Sequence, residues 1–291
     1  MTELAETRAA LERRLEELVA AGPSVPRHLH GAIRHALLAP SKRVRPMILQ
    51  YFAANGAPDA TAALDTGCAV EMVHTASLIL DDLPCMDDAT VRRQLPTTHV
   101  VYGEATAILA AIALLNRAFG VIAGLRDVTP TVRSRLAQIL SNAIGWEGLV
   151  AGQEIDIRGA ENADKEEIER LNWLKTGVLF VAAAEMGAVL RGLDDRSTSA
   201  VLTFATHIGH AFQTADDLLD VTATAHQTGK DVGQDAGKTN LVSLLGVDGA
   251  QLSCRQHLER ADAALVASGL DPVPIRSLIA RYFDQLVPAG P

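Results

Sequence analysis

The chain has 291 residues, with 26 Lys plus Arg against 35 Asp plus Glu, a net charge of −9 and 48% hydrophobic residues. A chain this long buries roughly three quarters of its unfolded surface, so its core needs no disulfide or structural metal. The acidic balance argues against a nucleic-acid partner, and three scattered cysteines without CxxC spacing, Cys68, Cys85 and Cys254, point to neither a disulfide framework nor a zinc site.

The first segment, MTELAETRAALERRLEEL, alternates acids and bases where an export signal would place a basic start and an apolar run. With the unpaired cysteines, this predicts a cytoplasmic setting. Leu4, Leu11, Leu15 and Leu18 fall at helical offsets and predict the first helix. Breaks follow at 22–26, 55–58, 127–130, 158–164, 192–196, 228–237 and 268–274, where Gly, Pro, Asn and Asp gather. Pro130 is the only proline between Pro96 and Pro272, and Ala and Leu dominate that span, which is helix composition. The apolar run Ala105 to Leu115 ends at Asn116 and Arg117, short of the ~20 residues that span a bilayer, so no membrane span is expected. Farther on, Leu202, Ala205, Ile208, Gly209 and Phe212 line one helical face. No strand-like alternation is sustained. The pattern predicts a single all-α domain over residues 1–291, with ten or more helices, larger than a four-helix bundle.

Two acidic clusters follow apolar helical sequence directly. Asp81, Asp82, Asp87 and Asp88 lie in SLILDDLPCMDDATVRR, and Asp216, Asp217 and Asp220 in HAFQTADDLLDV. In the second, offsets of three and four set Gln213, Asp216, Asp217 and Asp220 along one helix face as a ladder of oxygen ligands. Such carboxylates repel unless hard cations sit between them, and Mg²⁺ is commonly shared by one or two carboxylates, waters and substrate phosphates. A solvated acidic helix end is the simpler account of one such cluster, but a poorer account of two. Cations surround both: Lys42, Arg43 and Arg45 in LAPSKRVRPM, Arg92 and Arg93 after the first aspartates, Lys175 in KTGVLF, and Lys230 and Lys238 beyond the second. Carboxylates with separate cations suggest a diphosphate site, since a polyanion needs both a metal and direct charge pairing.

These segments, together with RRQLPTTHVVYGEATAILA, GLVAGQEIDI and GKDVGQDAGKTNLVSLLG, run in order along nearly the whole chain. The chain thereby resembles the short-chain trans-isoprenyl diphosphate synthases, closest to the bacterial geranylgeranyl diphosphate synthases of carotenoid pathways. The resemblance implies the all-α isoprenoid synthase fold around a central cavity, a homodimer, and three Mg²⁺ between the aspartate-rich helices. It implies Asp81, Asp87 and Asp216 as metal ligands, with Asp82, Asp217 and Asp220 in support. Arg92, Lys175, Lys230 and Lys238 would grip the allylic diphosphate. Lys42, Arg45, His74 and Arg93 would grip isopentenyl diphosphate, while Thr176 and Gln213 steady the allylic cation. His74 precedes Asp81 by seven residues, two helical turns, so both should face one cavity. Product length would be set by Ala76 and Ser77 with Met72 deeper, small side chains there favouring a twenty-carbon product.

The chain departs from the family pattern where many members have Gly at the position of Gln94, and where Pro40 and Ser41 replace a glycine pair. Neither change removes an expected ligand. Three other roles remain open: a farnesyl diphosphate synthase, a non-catalytic partner subunit, which should lose aspartates from one cluster, and a class I terpene cyclase, which would not need Lys42, Arg45 and Arg93.

Overall fold

The computed structural model describes residues 3–54, 60–159, 165–222 and 241–283. Lys230, Lys238 and the breaks expected at 55–58 and 228–237 lie outside these residues, as does most of the break expected at 158–164. The described chain is helical apart from one short hairpin, in agreement with the all-α expectation.

The first helix, α1 (Glu3–Leu18), buries Leu11 and Leu15 completely, as its apolar spacing requires. Helix α2 (Arg27–Leu37) starts directly after Pro26. Helix α3 (Val44–Ala53) is enclosed on most sides, with Arg45, Met47, Ile48, Leu49, Phe52 and Ala53 all buried. The 22-residue α4 (Ala60–Asp81) packs on α3 and on α6 and ends at the first aspartate pair. After it the strands β1 (Val91–Arg92) and β2 (Leu95–Pro96) form a two-residue antiparallel ladder, too short for any alternation in the sequence to reveal.

Helices α5 (Thr98–Tyr102), α6 (Glu104–Ala123) and α7 (Pro130–Ile144) follow, the last capped by the Thr129 hydroxyl with proline in its first turn. Next come α8 (Leu149–Arg158), α9 (Lys165–Asn172), a π-helical turn at Trp173–Gly177, and α10 (Val178–Arg191). The 28-residue α11 (Asp195–Thr222) packs on α10 and on α12 (Leu241–Ala267), which is broken at Gly246 where φ is 71°. Helix α13 (Val273–Phe283) ends the described chain. One apolar core runs from Leu11 to Phe283.

Two stretches, Glu104–Ala123 and Glu166–Arg191, are long and apolar enough to cross a membrane by length and composition. The apolar run before Asn116 thus continues into a longer helix than its sequence limits suggest. In the fold α6 is a bundle helix: Ala107, Ala110, Ala111, Leu114 and Ala118 are buried, and Arg117 Nε donates to the Leu18 carbonyl at 2.9 Å.

Candidate active site

The cationic wall is built first by the segment entering α3. Arg43 precedes this helix with φ 51° and is almost fully buried, its guanidinium donating to Glu71 Oε1 at 2.6 Å and to the Leu37 and Ala39 carbonyls at 2.8 and 3.2 Å. That anchor leaves its neighbours Lys42 and Arg45 on the cavity wall. The Lys42 ammonium lies 3.9 Å from the ring centre of Tyr282. Arg45 is 7% exposed and lies 4.3 Å from the ring centre of Phe180. Its Nη1 is 3.3 Å from His74 Nε2, and its Nε is buried with no hydrogen-bond partner. Burial pushes the Arg45 pKa down, a sign of a desolvated cation with too little counter-charge. Burial and the neighbouring arginines hold His74 well below the ordinary imidazole range, so the neutral ring accepts from Arg45.

The end of α4 and the hairpin supply the next wall. Asp81 and His74, two turns apart, both line the cavity, and the Gln153 side-chain amide on α8 donates to Asp81. The main-chain N–H of Asp87 donates to the Asp81 carbonyl at 2.9 Å, which folds the DDLPCMD loop back on the helix end. Burial, reinforced by Asp87 and Asp82 and opposed by Lys175 and Arg92, pushes the Asp81 carboxyl up to about 6. Asp82 is buried and paired with Arg92, Nη2 to Oδ1 at 2.6 Å. Arg93 and Gln94 form the two-residue hairpin turn with φ of 54° and 64°, the geometry of a type I′ turn. Arg93 Nη2 reaches Glu71 Oε1 at 3.4 Å.

The third wall comes from the π-helical turn. A π-turn carries an extra residue and turns side chains away from the regular helical phase, a feature common at functional sites. Here it presents Lys175 and Thr176. Lys175 Nζ is 2.6 Å from Asp156 Oδ2 on α8; burial works against its charge, yet Asp81 and Asp156 outweigh burial and raise its pKa. The Thr176 hydroxyl donates to Gln213 Oε1 at 2.6 Å, and Gln213 Nε2 donates to Asp217 Oδ1 at 2.8 Å. Glycines let these backbones approach: a Cβ on Gly209 of α11 would sit 2.8 Å from Gly177 Cα, and one on Gly152 of α8 would sit 2.7 Å from the Lys175 nitrogen.

These walls enclose a cavity of about 500 Å³, a size typical of small-molecule sites. It collects Lys42, Arg45, His74, Ser77 and Asp81 with Arg92, Arg93, Lys175, Thr176 and Asp216. Gln213, Asp82, Asp87, Asp217 and Asp220 stand behind or beside it rather than on its described lining. Asp82 and Asp217 are turned into the protein, 4% and 3% exposed, toward Arg92 and Gln213. Ser77 lines the cavity, whereas Met72 and Ala76 lie fully buried in the core. Residues that the sequence did not single out complete the network: Glu71, Gln153, Asp156 and Tyr282. Gln153 and Asp156 fall at i, i+3 within GLVAGQEIDI, a spacing that could have flagged them.

Among the described residues no three His, Cys, Asp or Glu side chains converge into a metal site of their own. Asp81 and Asp216 nonetheless offer hard oxygen donors to one cavity, and the raised pKa of Asp81 marks a negative charge that a dication would stabilise. Magnesium characteristically takes one or two carboxylates and completes its shell with water and phosphate oxygens, so this donor set fits it.

An all-α bundle with carboxylates from two helices facing a wall of buried guanidinium groups defines an enzyme for polyanionic, metal-complexed substrates. The chain belongs to the polyprenyl synthetase family, whose profile matches residues 26–265. It is 43% identical to a geranylgeranyl diphosphate synthase of Pantoea ananas over 285 residues, covering 97% of this chain and 93% of that one. It is 39% identical to a farnesyl diphosphate synthase of Geobacillus stearothermophilus, covering 96% and 93%. Among solved structures, a geranyltransferase from Helicobacter pylori complexed with magnesium and isoprenyl diphosphate superposes with a TM-score of 0.89 at 28% identity, covering 97% of this chain and 96% of that one.

Proposed function

We propose that this chain is a trans-prenyltransferase that joins isopentenyl diphosphate head-to-tail to an allylic diphosphate and releases geranylgeranyl diphosphate. The observation that carries this reading is the single cavity holding Asp81 and Asp216 together with Arg45, Arg92, Arg93 and Lys175. A terpene cyclase would have no use for the second cationic wall. A non-catalytic subunit would have no reason to keep both aspartate clusters.

In this reading Arg92 and Lys175, with Lys230 and Lys238 beyond the described residues, hold the allylic diphosphate, while Lys42, Arg45, His74 and Arg93 hold isopentenyl diphosphate. Asp81, Asp87 and Asp216 are the metal ligands; Asp82, Asp217 and Asp220 shape the field around them. Mg²⁺, three ions per site on this assignment, neutralises the leaving diphosphate when bound. Lys175 adds fixed positive charge where the diphosphate departs, and its pairing with Asp156 keeps the ammonium in place. The Thr176 hydroxyl, aligned by Gln213, directs an oxygen dipole at the carbon chain. The neutral His74 contributes a hydrogen bond rather than charge. A homodimer in a reducing cytoplasm completes the proposal, consistent with three free cysteines.

The test is incubation with Mg²⁺, isopentenyl diphosphate and farnesyl or geranyl diphosphate, followed by chromatography of the dephosphorylated products. A twenty-carbon alcohol is expected; a fifteen-carbon end product would favour the farnesyl synthase reading, and no condensation would overturn both. Ser77→Phe on the cavity wall, and Ala76→Tyr in the core directly behind it, should shift the parent's main product to fifteen carbons. Because Ala76 is fully buried, its tyrosine variant should also lose about 1–3 kcal/mol to overpacking. Two active variants with an unchanged product profile would remove this stretch of α4 as the chain-length floor.

A further inference from the structure

Among the described cavity-lining residues the acids are Asp81, Asp216 and Glu71, and the proposed chemistry leaves Glu71 without a role. It lies on α4, one turn before His74, and is 2% exposed. Its Oε1 receives Arg43 Nη1 at 2.6 Å, the Ser41 hydroxyl at 3.3 Å and Arg93 Nη2 at 3.4 Å. One oxygen therefore ties three separate segments together: the loop entering α3, the middle of α4 and the tip of the hairpin.

The three bonds are unequal. Arg43 is fixed, since two main-chain carbonyls also hold its guanidinium. Arg93 reaches Glu71 through one longer contact, 3.4 Å, from the tip of a two-residue turn; its side chain is 14% exposed, and among the described residues no main-chain carbonyl holds it as two hold Arg43. Arg43, Arg45 and Arg93 crowd one wall, and without a carboxylate their mutual repulsion would drive the one with most freedom toward solvent. We infer that Glu71 is a positioning residue of the isopentenyl diphosphate subsite: it holds the Arg93 guanidinium in the cavity between binding events, with Arg43 as its permanent counter-ion. Incoming diphosphate then competes for a guanidinium already aimed and partly desolvated, rather than recruiting one from water. This inference rests on the subsite assignment proposed above.

Steady-state kinetics of the full chain with both substrates varied provide the test. Glu71→Gln keeps the shape and removes the charge, and should raise the KM for isopentenyl diphosphate about tenfold while the allylic KM and kcat move less than about twofold. Glu71→Asp, which keeps the charge on a shorter arm, should give an intermediate KM. In an Arg93→Ala background, Glu71→Gln should add less than about twofold, because the residue through which it acts is gone. An unchanged isopentenyl KM in Glu71→Gln, or full additivity with Arg93→Ala, would overturn the inference. If Arg93→Ala itself left the isopentenyl KM unchanged, the subsite assignment would fall and this inference with it. Should Glu71→Gln melt below the assay temperature, the Glu71→Asp comparison decides: a KM equal to the parent's counts against the positioning role.

Discussion

At the scale of single residues, the site is a balance of buried charges that must be read in pairs. Asp82 with Arg92, Asp156 with Lys175, and Glu71 with Arg43 are each within 2.6 Å, and each partner is at least largely enclosed. Asp81 and Asp216 differ: they line the cavity, and among the described residues neither has an ion pair this short, which suits them to a cation brought in with substrate. Asp81→Ala or Asp216→Ala should therefore lower turnover by about 10³-fold or more while leaving the helical circular dichroism unchanged. Chelation should abolish activity and added Mg²⁺ should restore it; near-normal turnover in either variant would sink the metal assignment. Gln94 presents a different kind of strain, as a non-glycine residue at φ 64°. A side chain in that region costs about 1–2 kcal/mol, part of which glycine returns as unfolded-chain entropy. Gln94→Gly should thus raise stability by about 0.5–1 kcal/mol in denaturant titration, and a lower midpoint would show that the glutamine makes a compensating contact.

At the scale of elements, the sequence revealed what repeats and hid what occurs once. The leucines of α1 and the apolar face of α11 announce themselves because packing demands a 3.6-residue period, and the breaks at 22–26, 127–130, 192–196 and 268–274 match gaps between described helices to within two residues. His74 and Asp81 were legible as one face of α4 for the same reason. The break at 38–43, the hairpin and the π-turn were not, since each is a single local event fixed by tertiary contacts: Arg43 bonded to Glu71, Thr97 Oγ1 bonded to the Ala89 carbonyl at 2.8 Å, and Gly177 seated against α11. Glu71 was equally hidden, because nothing in a sequence tells a paired acid from a solvated one, while Asp156 left only the i, i+3 spacing from Gln153 as a trace. The π-turn offers the sharpest check on this dependence. Gly209→Ala would push a methyl group to 2.8 Å from Gly177 Cα, backbone against backbone, with no flexible side chain to yield. It should cost about 1–3 kcal/mol in stability. By moving the turn that carries Lys175 and Thr176, it should also lower kcat more than either KM. A variant of parental stability and turnover would show that the two helices can separate without disturbing the site.

At the scale of the whole molecule, one exposed surface is apolar. Val100 and Val101 of α5 and Ile108, Leu109 and Ile112 of α6 are between 40% and 55% exposed, and the last three recur at helical offsets on the side of α6 opposite its buried alanines. Large apolar side chains in a continuous stripe are a contact surface far more often than a solvated one. They give the first half of α6 an apolar outer side as well as a buried one, which is why the helix passes the length and composition test for a membrane helix. A bilayer is a poor partner for it, because its buried half is already committed to α4 and α2 and the bundle would have to open to insert it. In the homodimer proposed above, a second copy of the chain, offering the same stripe about a two-fold axis, would cover the patch without disturbing the core. A stable interface of this kind buries more than about 1,000 Å², so the stripe on α5 and α6 must be joined by neighbouring surface. The expectation is a particle of twice the 30.9 kDa chain mass in light scattering or sedimentation. Leu109→Glu combined with Ile112→Glu places two carboxylates at the centre of that contact, where each would be desolvated opposite its own symmetry mate. The double variant should run as a helical monomer at micromolar concentration. A parent that is monomeric, or a double variant that remains a dimer, would show that the stripe is not the interface.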